Sequence, residues 1–295
     1  PSHDLTFGKL TLPNTFKSAW IIDGQHRLFS YFHKDVEIKY RTRAQLPVVA
    51  FENLSHEHEA NLFIDINSKQ VKVARSLLLE LKADLDIESS DAKQKLYALV
   101  SKIVLELNRD RSSPIFNRIK TEQAAERQGF IALPQLVEAL RRSSLVGTID
   151  SKANILVPGA LYGNQDTAST VDRAVEILSN YLRLFSDGAK EHWDLRDKRN
   201  LPNDAGGHLC TSLGVATLIM LLDDLVKYVG STFNIRFRDL APNDVVSHVE
   251  GWCRHIVDFF RDPSYEEILR FRIHRGSQGP HNGMREMQAI IRDAE

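Results

Sequence analysis

Five consecutive residues, Asp23-Gly24-Gln25-His26-Arg27, carry side chains suited to gripping an anion. Arg27 presents a guanidinium that forks onto phosphate oxygens. His26 donates from either ring nitrogen and changes protonation near neutral pH. Gly24 permits a tight turn and lets a ligand approach the backbone. Gln25, His26 and Arg27 fall in the first turn of the following helix, where backbone N–H groups lack intrahelical partners and anions bind readily. Asp23 is placed to cap that helix, or to reach a metal accompanying a nucleotide.

The flanking pattern supplies the elements that must hold these residues. Residues 18–22 (SAWII) are apolar and predict a buried strand. Residues 25–33 then set Leu28, Phe29 and Phe32 on one helical face. A second strand is expected over 46–51 (LPVVAF), with Pro47 near its start where proline is tolerated. Ser55 is a good N-cap, and the helix after it carries Ala60, Phe63 and Ile64 at helical spacing. Strand–helix–strand–helix calls for a sheet with helices packed on it. From residue types alone two readings stay open: a phosphate-binding turn, or a structural junction with solvated His26 and Arg27.

In this setting the string resembles the signature of the DGQHR-domain family. That family includes DndB-type proteins of DNA phosphorothioate modification systems and relatives in 7-deazaguanine systems. The string is also similar to the phosphate-binding motif of the wider ParB/sulfiredoxin superfamily. The likeness continues through LPVVAF, an acidic helix and FIDINSKQVKV, and more weakly through IHRGSQGPHNGMREM near the end. The resemblance implies a ParB/sulfiredoxin-like α/β portion over residues 1–75, then an α-helical domain over 76–295, predominantly helical overall. It implies a DNA-binding regulator or phage-defence component with a nucleotide at Gly24, Gln25, His26 and Arg27. Should ATP with Mg2+ be hydrolysed, Asp23, His26 and Arg27 are the catalytic candidates. Other proteins of a DNA-modification system are implied partners. The family domain begins with strands before the motif, and only residues 5–12 (LTFGKLTL) precede it here. The chain also opens on Pro1, so a piece of a longer protein is expected.

Further residues bear on the same chemistry. Asn67 and Lys69 end the acidic helix and either return to the turn to complete the phosphate site or cap the helix. Arg109, Arg111, Arg118, Lys120 and Arg127, with Phe116 among them, either track a nucleic-acid backbone or mark a solvated face. Near the end Arg272 and Arg275 precede Gly276, Gly279 and Gly283, with Arg285 after them, a pattern for backbone N–H groups reaching phosphate, or for a flexible loop. DNA contacts are therefore assigned to Arg109, Arg111, Arg118, Lys120, Arg272 and Arg275.

Other classes lose support. His56 and His58 are two apart at a helix start and share no face, so a solvated acidic turn is expected and no metal. No Gly-x-x-x-x-Gly-Lys-Ser/Thr string or HExxH pair occurs. No metal-binding carboxylate cluster flanks the motif, which disfavours a ParB-like nuclease. A non-catalytic DNA-binding regulator remains the alternative. The chain has 295 residues, 42% hydrophobic, and a formal net charge of −1, so DNA must be met by local basic patches. Cys210 and Cys253 lie far apart in apolar helical patterns, which fits a reducing cytoplasm. No membrane span is expected, because charges interrupt the longest apolar stretch, 209–229. Helices are expected over 74–85, 92–107, 133–145, 171–185, 209–229, 245–260, 265–271 and 284–291, with polar loops over 151–170, 188–207 and 275–283.

Overall fold

The computed structural model describes residues 10–12, 14–15, 19, 21–22, 24–30, 48–55, 58–59, 61–62, 66, 74–121, 129–163, 166–193, 207–272 and 278–294. The chain divides into two compact units, residues 1–73 and 74–295. Helix occupies 64% of the described residues, with few strands and two small sheets among them.

In the first unit, helix α1 (Gln25–Ser30) follows Gly24 directly. Residues 58–59, 61–62 and 66 are also helical. Ser55 caps that segment as expected: its Oγ accepts from the His58 N–H at 3.3 Å, and its carbonyl accepts from Glu59. The expected strands over 18–22 and 46–51 are not found at their described positions, where residues 48–51 are irregular and exposed. An apolar run predicts burial, but a strand also needs a neighbour to pair its N–H and C=O groups. No described residue of this unit provides that ladder.

The second unit is a helical ring. Its helices are α2 (Arg75–Leu85), α3 (Ala92–Arg109), α4 (Leu133–Arg142), α5 (Thr167–Gly188), α6 (Lys190–Trp193), α7 (Ser212–Phe233), α8 (Pro242–Phe259), α9 (Tyr265–Arg272) and α10 (Gly279–Ala294). In the order α3, α5, α8, α10, α7, α4 each packs on the next, and α4 closes back on α3; α2 lies against α3 from outside. The seam is lined by Leu99, Ile103, Leu136, Tyr181, Phe185, Leu218 and Phe260, all fully buried. Buried Tyr181 donates its hydroxyl to the Leu218 carbonyl at 2.9 Å, tying α5 to α7. No helix among the described residues is long and apolar enough to cross a membrane.

Local chemistry sets the helix ends. Asp91 accepts from the N–H groups of Lys93 and Gln94 at the start of α3. Asp166 and Ser169 form a capping box on α5, and Thr211 caps α7 through the Gly214 N–H. Pro134 and Pro242 sit in first turns, where a missing N–H costs nothing. Asn234, left-handed at φ 54°, ends α7.

All three expected loops are partly regular. Residues 151–170 contain strand β4 (Ile155–Pro158), which pairs antiparallel with β3 (Gly147–Asp150). Asp150 Oδ1 accepts from the Lys152 and Ala153 N–H groups, and Asn154 is left-handed at φ 51°, so the polar stretch is a hairpin turn. The separate two-residue strands β1 (Ile119–Lys120) and β2 (Ile131–Ala132) pair in parallel. The expected loop over 188–207 contains α6 (Lys190–Trp193), and α10 begins at Gly279, inside the expected glycine-rich loop of 275–283.

On α4, Glu138 Oε1 lies 2.8 Å from Arg141 and 2.7 Å from Arg142. The hydrogen bond from Arg141 is the main cause that holds its carboxyl down at about 2, with Arg142 assisting against partial burial. A carboxyl depressed on folding stabilises the protein above its ordinary pKa of 4.5, and that gain is lost as pH falls toward about 2. Glu138→Gln should therefore cost about 1 kcal/mol at about pH 7, because solvent screens half-exposed arginines. The gap between parent and variant should close as pH drops through that window. Denaturant midpoints measured across pH check this, and a pH-independent gap would exclude the ion cluster as its source.

Candidate functional site

Gly24 adopts φ 89°, a region open to glycine and strained for other residues, and the chain enters α1 immediately. The Leu28 N–H bonds back to the Gly24 carbonyl at 3.1 Å. The turn expected at this point is thus present in the backbone. Gln25 is exposed and Leu28 half-buried, but Phe29 is 60% exposed rather than on a buried face. The side chains of His26 and Arg27 lie outside the described residues, as do Asp23, Asn67 and Lys69.

The basic stretch after α3 separates into distinct environments. Arg109 is exposed and bonded to Glu106 Oε1 at 2.9 Å. Lys120 is exposed on β1. Arg111 and Arg118 instead meet in one open cleft of about 490 Å³, with Phe116, Asp187, Lys190 and Trp193 also on its walls. Arg127 lies outside the described residues.

Backbone and side-chain bonds build this cleft. Asp110 ends α3, and its carboxylate accepts from the Ser112 N–H and hydroxyl, both at 2.8 Å. The chain then doubles back through Asn117 at φ 54°, whose N–H donates to the Asn108 carbonyl. Asn108 Oδ1 accepts from the Ile119 N–H, which fixes Arg118 between them. Arg118 is half-buried and its Nη1 donates to Cys210 Sγ at 3.1 Å. Lys190 reaches the cleft because only Ala189 separates the end of α5 from the start of α6. Arg111 and Lys190 are exposed and form no ion pair among the described residues.

Three cations face one carboxylate, Asp187, with half-buried Phe116 beside them. Such a surface attracts an oxyanion and offers an aromatic face to a base. Lys190 and Trp193 were not among the expected site residues. Their signal in the sequence is faint, since Lys190 stands alone between Ala189 and Glu191.

Another cleft, about 600 Å³ between α3 and α5, has the opposite character. Among the described residues Glu88, Glu106, Asp110, Asp172 and Glu176 line it against Lys102 alone. Phosphate is repelled there.

The glycine-rich segment near the end changes meaning. Gly279 and Gly283 are buried within α10, and a Cβ on Gly283 would meet the Thr217 side chain of α7 at 2.7 Å. Gly283 serves close helix packing, so the expected loop of phosphate-facing N–H groups does not extend through it. Arg272 ends α9 with its side chain outside the described set, and Arg275 and Gly276 lie outside it entirely.

Among the described residues no three His, Cys, Asp or Glu side chains converge as metal ligands. His58 Nδ1 sits 2.8 Å from Ser55 Oγ, within the cap. Cys210 and Cys253 are buried free thiols, and burial pushes the Cys253 thiol far up, which keeps it unreactive. No family model matches the chain, and neither a curated protein nor a solved structure is significantly similar to it.

Proposed function

We propose that this chain is a DndB-like DNA-binding protein of the DGQHR type, working in a DNA-modification system as regulator or defence component. The observation that carries the reading is the cleft in which Arg111, Arg118 and Lys190 converge beside Phe116. It is the combination a nucleic-acid backbone with an unstacked base requires. The near-zero net charge makes such a local patch necessary for DNA binding.

The turn at Gly24 supplies the second part of the proposal. The motif resembles a nucleotide-gripping turn, and its glycine has the positive φ such a turn needs. Residues 1–75 are proposed as the ParB/sulfiredoxin-like portion, with Gly24, Gln25, His26 and Arg27 on the phosphates and Asn67 and Lys69 completing the site. ATP with Mg2+ is the proposed nucleotide, and Asp23, His26 and Arg27 are the residues proposed for its hydrolysis. DNA contacts are proposed for Arg111, Arg118 and Lys190, and also for Arg109, Lys120, Arg272 and Arg275. A cytoplasmic location and partners from the same modification system complete the reading.

ATP turnover measured with and without duplex DNA tests the nucleotide half. Turnover absent under both conditions would leave a non-catalytic DNA-binding regulator. Arg27→Ala should weaken nucleotide binding by roughly 1.5–3 kcal/mol, the value of a lost charge-assisted fork. Melting temperature checks that this loss exceeds any loss of stability. Equal nucleotide binding by variant and parent in low salt would remove Arg27 from the site.

A further inference from the structure

We propose that the second unit carries another phosphate site, between the β3–β4 hairpin and the C-terminal end of α7, formed by Lys227, Arg236 and Arg238. The three side chains line an open cleft of about 370 Å³ with no Asp or Glu on its walls among the described residues. Thr148 and Ser231 add hydroxyls, and Val157, 47% exposed, gives one wall an apolar surface.

The charges in this cleft are unbalanced. Lys227 Nζ pairs with Asp223 Oδ2 at 2.6 Å, so its charge is largely offset. Arg236 and Arg238 form no ion pair among the described residues. The C-terminus of α7 adds the equivalent of about −0.5 charge, too little to balance two guanidiniums. Asp239 follows in sequence but is exposed and lies off the cleft wall.

The structure also holds one guanidinium ready. Arg238 lies over the Tyr162 ring, 5.8 Å from its centroid. Its Nε is buried and makes no hydrogen bond among the described residues. Behind it Arg173 donates to the carbonyls of Leu240 at 2.8 Å and Phe237 at 3.0 Å, which fixes the short helix of residues 237–239 that carries Arg238. Burial is the main cause that makes the Arg173 cation harder to maintain; Glu176 and Asp239 act against that, and the positive charge of Arg238 adds to it. A planar guanidinium held in place on the wall of such a cleft, with exposed Arg236 beside it, recognises phosphate oxygens by paired N–H donation.

The ligand class is a phosphate oxyanion, from a nucleic-acid backbone or from a free polyphosphate. Its position is separate from the cleft at Arg111, Arg118 and Lys190, so the two readings stand or fall independently.

The test uses the whole 295-residue chain, with inorganic tripolyphosphate and a fluorescent duplex oligonucleotide as probes. Arg236→Ala combined with Arg238→Ala should lower tripolyphosphate affinity about tenfold or more. If the backbone is the source, the salt slope of duplex binding should fall by roughly one to two as well. Loss for tripolyphosphate alone identifies a free phosphate compound. Arg254→Ala, an exposed arginine of α8 paired with Glu250, should change neither. Should the double variant melt early, exposed Arg236→Ala alone must still cost about threefold. The inference is overturned if the parent binds neither probe in low salt, or if both variants stay within about twofold of it. Weaker duplex binding by Arg111→Ala with Lys190→Ala, alongside an unchanged Arg236→Ala, would sink this site and leave the proposed function intact.

Discussion

Raising the salt from roughly 50 to roughly 200 mM should lower the affinity of this chain for duplex DNA about a hundredfold. The figure assumes contact with about four phosphates, each contributing about 0.9 to the logarithmic slope, over a fourfold change in salt. A protein with net charge −1 has no bulk attraction for DNA, so this dependence must come from local cations releasing counterions. Arg111→Ala with Lys190→Ala should cut the slope by roughly one to two units, and Arg272→Ala with Arg275→Ala by a similar amount. Replacing His56 and His58 should change nothing, because His58 is engaged in the Ser55 cap and the segment opens an acidic helix start. A flat salt dependence in the parent would show that DNA is not the ligand, and the motif at Gly24 would stand as a nucleotide site alone.

Asp223→Ala should destabilise the second unit by about 3 kcal/mol. Asp223 is only 5% exposed, on α7. Its Oδ1 accepts from the Ser144 N–H at 2.9 Å and the Ser144 hydroxyl at 2.7 Å, and its Oδ2 pairs with Lys227. Alanine removes both acceptors from a part-buried strap that leads out of α4 into the hairpin. The stranded Ser144 donors cost about 1–3 kcal/mol, whereas half-exposed Lys227 rehydrates cheaply. Asp223→Asn keeps the shape and one acceptor, and should cost about 1 kcal/mol. Denaturant midpoints at constant slope measure both. An alanine variant within about 0.5 kcal/mol of the parent would show that Ser144 finds other partners.

Much of the second unit was legible from local pattern. Three-and-four spacing located α3, α5, α7 and α8 to within a few residues, because a helix pairs its own backbone and needs only an apolar stripe to dock. The apolar stretch 209–229 became α7 from Ser212 onward, since Thr211 supplies the cap that spacing alone does not reveal. The hairpin was less legible. Ile155-Leu156-Val157-Pro158 follows a polar run and reads as loop until its partner, residues 147–150, is known. The expected strands before and after the motif share that weakness, since an apolar run states burial but names no neighbour.

The site divides along the same line. The sequence by itself named the candidates for phosphate binding at 23–27 and located the left-handed glycine among them, because a tight turn into a helix is a local event. It also settled that no single basic run dominates the charge. Only the tertiary structure decided which cations act together. Arg111 and Arg118 meet Lys190, about seventy residues away in sequence, because the turn through Asn117 faces the start of α6. Arg236 and Arg238 meet Lys227 because α7 ends in a left-handed Asn234 that folds the chain back beside the hairpin. Gly283 reads as a loop glycine until α7 is packed against it, and Thr217 then leaves no room for a side chain. Charge spacing along a chain carries little information about such groupings, since a site is set by proximity across elements and packing alone brings those elements together.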